Sequence, residues 1–240
     1  VQGSVEALLG RQIVGLISTP VAADQSYLTR WQPRTAIVFI DRVPSNIPAD
    51  TVVEDDHGGG YAATAHLIEH GHRRIGFIGD SSSIATTAGR LDGYHAALAD
   101  AGIDENQRFV SLGAMSSGEA AETTRDLLSR PHAPTALFSS NARCSIGVVP
   151  ALQERDRTDI ALIGYGDFPL ASALRPALTV IDQNPDALGK AAGRRLFQRL
   201  DTPAGRWKRR MVLPVRLLLR DSCAATGEHQ TLAIAGHATR

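Results

Sequence analysis

Short apolar runs alternate with longer amphipathic stretches along most of this chain, and that alternation restricts the fold more than any other feature. The runs occupy residues 13–17, 36–40, 51–53, 75–78, 136–138, 160–163 and 178–181. Most are apolar at successive positions, which suits strands covered on both faces rather than half-exposed ones. Amphipathic stretches lie between them at residues 60–70, 88–101, 117–129, 144–155 and 185–200. Such alternation predicts βα units and parallel sheets, an α/β fold. Gly71 and Gly102 stand where helix C-caps belong, and Pro185 suits a first helical turn.

The residues just after the apolar runs point to a ligand. Ser18, Asp41-Arg42, Gly79-Asp80, Ser139-Ser140-Asn141, Gly164-Tyr165-Gly166-Asp167 and Asp182-Gln183 stand at successive carboxyl ends. Strands must end in polar loops in any case, but six such ends together form the expected wall of a ligand cleft in an open α/β fold. The stretch from His66 to Tyr94 is the most informative. A helix ends at Gly71, a strand covers residues 74–78, and Arg90 opens the next helix. Arg90 is a planar, permanently charged donor suited to a polar small molecule. The competing reading is a solvated first-turn arginine, which is electrostatically unfavourable at a helix N-terminus.

Composition narrows the function classes. The 240 residues carry 25 basic and 25 acidic side chains. An isolated nucleic-acid-binding domain usually has a basic excess, so the chain alone is a poor candidate for one. Cys144 and Cys223 form no CxxC motif, which fits a reducing compartment and argues against a cysteine-ligated zinc. No apolar run reaches the roughly 18 residues of a membrane span. The opening Val1-Gln2-Gly3-Ser4-Val5-Glu6 is not a signal peptide, so export is disfavoured and a cytoplasmic location is expected.

Other chemistry has weaker signals. His66-Leu67-Ile68-Glu69-His70 spells H-x-x-E-H, in which His66 and His70 share a helix face and Glu69 could serve as base of a zinc hydrolase. A helix packing on a sheet explains the same residues. Gly58-Gly59-Gly60 precedes a helix and could hold an anion. There is no GxGxxG after a strand, no GxxxxGK[ST] and no G-x-S-x-G. The run Arg206-Trp207-Lys208-Arg209-Arg210 could touch nucleic acid, or be a solvated turn between a helix and a strand. No cofactor and no metal is expected.

From Val5 to about Ser222 the chain resembles the effector-binding core of the lactose-repressor (LacI/GalR) family of bacterial transcription regulators. The matching pieces include Gly15-Leu16-Ile17, Phe39-Ile40-Asp41-Arg42, the block from Gly71 to Gly79, Arg90-x-x-Gly93-Tyr94, and Asp159 to Tyr165. Pro176-Ala177-Leu178-Thr179, Gln183 and Arg220-Asp221-Ser222 complete the order. The resemblance implies two flavodoxin-like lobes with parallel sheets, the periplasmic-binding-protein-like type I fold, joined by three crossings with an effector between them. The N-lobe would be residues 1–54 plus 184–212, the C-lobe 55–183 plus 213–222, and 223–240 a flexible tail. The family's helix-turn-helix headpiece, and the first strand, first helix and second strand of its N-lobe, have no counterpart in this sequence, so a truncated N-lobe is expected. The implied protein is an effector-sensing homodimer that meets operator DNA through a headpiece, with no membrane association and no enzymatic activity. A periplasmic sugar-binding protein of a transporter is the alternative with the same fold.

The resemblance also assigns ligand-binding residues. Arg90 matches the family's cleft arginine, three residues before the same Gly-aromatic pair. Asp41 matches an N-lobe position, although an Asp in a strand-end turn beside Arg42 reads equally well. Asn141 matches the cleft asparagine, with helix capping as its competitor. Gln183 falls at the third crossing, and Asp167 lies one place beyond the expected carboxylate. Three usual residues are absent. Ala142 and Gly166 stand where the family commonly has aspartates, and Gly113 where an aromatic is expected. A plain hexose is then less well served, and a larger or anionic effector using Arg90 is the expectation.

Overall fold

The apolar runs become strands whose alternate residues enter opposite cores. The computed structural model describes residues 2–104 and 109–223. The expected tail therefore lies outside the described residues from Ala224 onward. In chain order the elements are α1 (Gln2–Leu9), β1 (Gly15–Ser18), β2 (Ala36–Ile40), β3 (Asp50–Glu54), α2 (Asp56–Glu69), β4 (Ile75–Ile78) and α3 (Ala85–Asp100). They continue with β5 (Val110–Ser111), α4 (Ser117–Ser129), β6 (Ala136–Ser139), α5 (Ala142–Gln153), β7 (Ala161–Tyr165) and β8 (Thr179–Asp182). The last are α6 (Pro185–Asp201), β9 (Arg210–Leu213) and β10 (Arg216–Leu218). The chain divides into two units, Val1–Asp55 with Asn184–Pro214, and Asp56–Gln183 with the chain from Val215.

The first unit holds a parallel sheet in the order β1-β2-β3-β9. Successive side chains of a strand point to opposite faces, so β2 feeds two cores. Ile37 and Phe39 pack with Leu9 and Leu28, while Val38 packs with Val52, Leu188 and Ala192. The second unit has a six-stranded sheet, β10-β8-β7-β6-β4-β5, parallel except for the β10–β8 pair. Here Phe138 joins Leu67, Phe77 and Tyr94 on one face, and Leu137 joins Leu127, Val148 and Leu162 on the other. Cover on both faces is why these runs lack polar alternation. Full burial of each such side chain contributes about 1.5–3 kcal/mol.

In space the strands read β5-β4-β6-β7-β8, which is the 2-1-3-4-5 order of flavodoxin-like sheets. Strand order reverses between β4 and β6. That switch point opens a crevice at the carboxyl ends of those two strands, and it decides where the site lies.

Two helices begin earlier than their apolar pattern predicts. Helix α2 starts at Asp56 rather than residue 60, and α3 at Ala85 rather than residue 88. Gly58-Gly59-Gly60 reads as a poor helix former, costing about 1 kcal/mol per glycine against alanine. Packing reverses that preference. A Cβ on Gly60 would lie 2.2 Å from the Arg90 carbonyl oxygen, and one on Gly93 would lie 2.1 Å from that of His57. The glycines let α2 and α3 approach backbone to backbone; they lie inside α2 and do not form an anion loop.

The predicted C-caps are present. At Gly71, φ is +88° and the amides of Gly71 and His72 donate to Ile68 and Leu67. At Gly102, φ is +64°, and Gly102 and Ile103 donate to Ala99 and Leu98. Both are Schellman motifs, with the left-handed residue that glycine adopts at least cost. Pro185 starts α6 behind Asn184, whose side chain accepts from the Ala187 amide at 3.0 Å. At α4, Ser116 and Glu119 form a reciprocal capping box. Ser116→Ala should therefore cost about 1 kcal/mol in urea unfolding, and an unchanged midpoint would deny the cap that role. No helix among the described residues is long and apolar enough to cross a membrane.

Candidate functional site

At the switch point the carboxyl end of β4 leads to Gly79-Asp80 and that of β6 to Ser140-Asn141. Helix α3 then carries Arg90 back over both. Because α3 begins at Ala85, Arg90 falls in its second turn, and it is 4% exposed rather than a solvated first-turn residue. Its Nε donates to Asp56 Oδ1 at 2.8 Å, Nη2 forms an ion pair with the same oxygen at 2.8 Å, and Nη1 donates to the Ser140 carbonyl at 2.7 Å. The guanidinium carbon lies 3.7 Å from the Tyr165 ring centre. Tyr165 in turn lies against Gly59, where a Cβ would come within 2.7 Å of the ring. A row of aromatics, Tyr94, Phe77, Phe138 and Tyr165, supports the guanidinium from the core, with neighbouring ring centres 5.4–6.4 Å apart.

Buried charge is tolerated only when paired and hydrogen-bonded, and Arg90 meets both conditions. A guanidinium has five N–H groups. One on each terminal nitrogen has no partner among the described residues. Those two are the donors that a ligand could engage.

Asp80 is the neighbouring acceptor, 7% exposed. It accepts from the Thr87 hydroxyl and, at 3.3 Å, from Asn141 Nδ2. Asn141 is also the N-cap of α5, its Oδ1 accepting from the Cys144 amide at 2.9 Å. Capping and placement beside Asp80 thus coexist in one side chain. Gln183 sits over Gly166, its Oε1 being 2.9 Å from where a Cβ on that glycine would stand.

Two expected residues are placed differently. Asp167 turns both carboxylate oxygens to Arg220, at 3.0 and 2.7 Å. The Arg220 hydrogen bonds hold its carboxyl below the usual carboxylate range. It ties the loop after β7 to the chain after β10, so a ligand reaching this carboxylate would share it with Arg220. Asp41 belongs to the first unit, at the carboxyl end of β2, with φ +69° and its carboxylate 3.3 Å from Arg42 Nε.

The three departures from the family pattern have local causes. Gly166 has φ +85°, and a side chain there would meet Gln183. The Ala142 methyl is 3.9 Å from the same point, so the two positions that lack the family's carboxylates are neighbours. Gly113 has φ +100°, and its amide donates to the Asp80 carbonyl at 2.9 Å. An aromatic residue would be strained in that conformation.

Sequence reasoning gives Asp56 and Thr87 no place at the site, and names Asp80, Ser140 and Tyr165 only as part of the strand-end wall of the cleft. Asp80, Ser140 and Tyr165 had a usable signal, since each stands at the end of an apolar run. Asp56 had none, because its role depends on a helix start hidden by glycines.

The H-x-x-E-H helix is arranged for packing. His66 Nε2 is 3.3 Å from the Cys223 thiol, His70 Nδ1 is 2.8 Å from the His66 carbonyl, and the two rings lie 4.2 Å apart. Burial and the neighbouring His70 hold His66 below the usual histidine pKa. Among the described residues no group of three or more His, Cys, Asp and Glu is placed to hold a metal ion. Cys144 is buried, and its thiol is pushed up to about 11 by burial and by Asp80, so it is a poor nucleophile at neutral pH.

Comparison with known proteins agrees with this architecture. A family model described as a periplasmic binding protein-like domain matches residues 64–223. The ribose operon repressor of Escherichia coli (strain K12) is 31% identical over 217 residues, 88% of this chain and 66% of that protein. The HTH-type transcriptional repressor PurR of Haemophilus influenzae (strain PittEE) is 33% identical over 207 residues, 83% of this chain and 61% of that protein. The chain spans less than two thirds of the length of either repressor. A crystal structure of a LacI family transcriptional regulator from Enterococcus faecium with bound ribose matches with a TM-score of 0.83 and 26% identity, covering 91% of this chain and 83% of that one.

Proposed function

The chain belongs to the periplasmic-binding-protein-like family, as the effector-binding core of LacI-type transcriptional regulators, and on that premise we propose that it senses a neutral, hydroxylated metabolite of the sugar or nucleoside class. The observation that carries this reading is the neutralised Arg90. Asp56 pairs with it, and Asp80, held by Thr87 and Asn141, is a further carboxylate at the neighbouring strand ends. A phosphate or carboxylate would find the guanidinium already paired, whereas hydroxyls can accept from its remaining N–H groups and donate to Asp80. This reading departs from the larger or anionic effector that the altered pocket positions suggest.

Arg90, Asn141 and Gln183 are the proposed ligand residues of the second unit, with Asp80 added, and Asp41 is the candidate acceptor on the first. The protein is read as a binding protein rather than an enzyme, acting in the cytoplasm as a homodimer. Effector binding would shift DNA affinity through a headpiece by a coupling of about 1–3 kcal/mol.

A thermal-shift panel of pentoses, hexoses, disaccharides, nucleosides and their phosphorylated forms tests the effector class. At a hundredfold excess over Kd, a true ligand adds about 2.7 kcal/mol, or roughly 5–10 °C for a chain of this size. The expected result is stabilisation by a neutral compound and little or none by its phosphate ester. Stabilisation by phosphorylated members alone would sink the reading.

A further inference from the structure

We propose that the first unit carries a separate anion site, for a phosphate-bearing ligand, in a basin at the amino ends of its strands. The basin has a volume of about 380 Å³, and its lining includes Gln32, Arg34, Thr35, Asp50, Arg199 and Arg209. Thr35 precedes β2, Asp50 opens β3 and Arg209 precedes β9. In a parallel sheet these amino ends share one edge, opposite to the edge that carries Asp41. The basin is therefore distinct from any effector contact made by Asp41.

Its floor is a buried ion cluster with an excess of positive charge. Asp50 accepts from Arg195 Nη1 at 2.9 Å and from Nε and Nη2 of Arg199, the latter at 3.1 Å. One carboxylate thus serves two guanidiniums. At the rim, Arg34 and Arg209 are exposed, and neither forms an ion pair among the described residues. Arg34 lays its guanidinium 4.5 Å from the Trp31 ring centre. Stacking uses the face of the fork and leaves its N–H edge for an oxyanion.

Charge distribution over the whole chain supports the same polarity. The first unit has 12 Lys and Arg against 8 Asp and Glu, and the second has 13 against 17. The neutral total thus conceals a basic unit and an acidic one. Arginine forks bind phosphate bidentately, and a doubly charged oxyanion matches an uncompensated cluster better than a neutral polyol does. Two sources share this chemistry: a free phosphorylated metabolite, and the phosphate backbone of DNA.

Calorimetric titration with sodium pyrophosphate at constant ionic strength tests the site, comparing the wild-type chain with Arg34→Gln/Arg209→Gln. Both positions are exposed, so the variant should keep its fold, as circular dichroism can verify. The wild type should bind pyrophosphate saturably, and the variant should bind at least about tenfold more weakly. A parallel arm with duplex DNA of arbitrary sequence assigns the source. DNA binding lost in the variant identifies backbone phosphates, and pyrophosphate binding without DNA binding identifies a free ligand. No saturable pyrophosphate binding by the wild type, or equal affinity in the folded variant, overturns the proposal. The second outcome would also place the anion elsewhere, including at Arg90.

Discussion

Asp56→Ala should destabilise the second unit by about 3–5 kcal/mol, because it strands a buried guanidinium that cannot shed its charge. The Arg90 side chain is 5% exposed, its Nε donates to Asp56 Oδ1, and its Nη2 lies 2.8 Å from the same oxygen. Contact with the Tyr165 ring offsets part of the loss, since a desolvated cation–π pair contributes about 2 kcal/mol. Removing the charge as well should restore most of the stability: Asp56→Ala/Arg90→Met replaces a buried pair with apolar volume, a change that is often close to neutral. Urea unfolding of the single and double variants measures both effects. A loss below about 1 kcal/mol in the single variant would mean that Arg90 is solvated. The double variant also separates two roles: if it folds yet no longer responds to the compound that stabilises wild type, Arg90 acts on the ligand and not only on the fold.

The second large effect is expected from a single methyl group. Gly93→Ala would place a Cβ 2.1 Å from the His57 carbonyl oxygen and 2.6 Å from the Tyr61 amide nitrogen. Both neighbours are backbone, so no rotamer change can relieve the clash, and a cost of about 3 kcal/mol or more is expected. Gly193→Ala provides the control. It lies in α6 with nothing within 4 Å of the added methyl, and should instead stabilise by about 0.5–1 kcal/mol. Equal effects at the two positions would show that helix propensity, not the α2–α3 approach, governs Gly93.

These two predictions mark how far the residues could be read before folding. The β4 and β6 runs were legible because strands buried on both faces need no polar alternation. Gly71 and Gly102 were legible because a left-handed cap is a local requirement. The start of α2 is hidden because glycine propensity is a local quantity, while the glycines here serve contact between two helices; α3 starts early over Ala85-Thr86-Thr87, which carry no apolar period. Asn141 reads from sequence as either a cap or a ligand residue; the fold shows the cap and places its amide beside Asp80. The Asp167–Arg220 pair is not legible in the sequence, because nothing near Asp167 indicates a partner 53 residues away.

The order of short apolar runs and amphipathic stretches by itself determined a parallel α/β protein with ligand chemistry at its strand ends. It also singles out Arg90 as a candidate charged donor there, since a guanidinium keeps its charge in any surroundings. Only the tertiary structure decided what that charge is worth to a ligand. Asp56, 34 residues away in the chain, reaches Arg90 because glycines bring two helices together. Coulombic neutralisation depends on distance in space rather than on separation along the chain, and so the pairing of Arg90 with Asp56 waited on the fold.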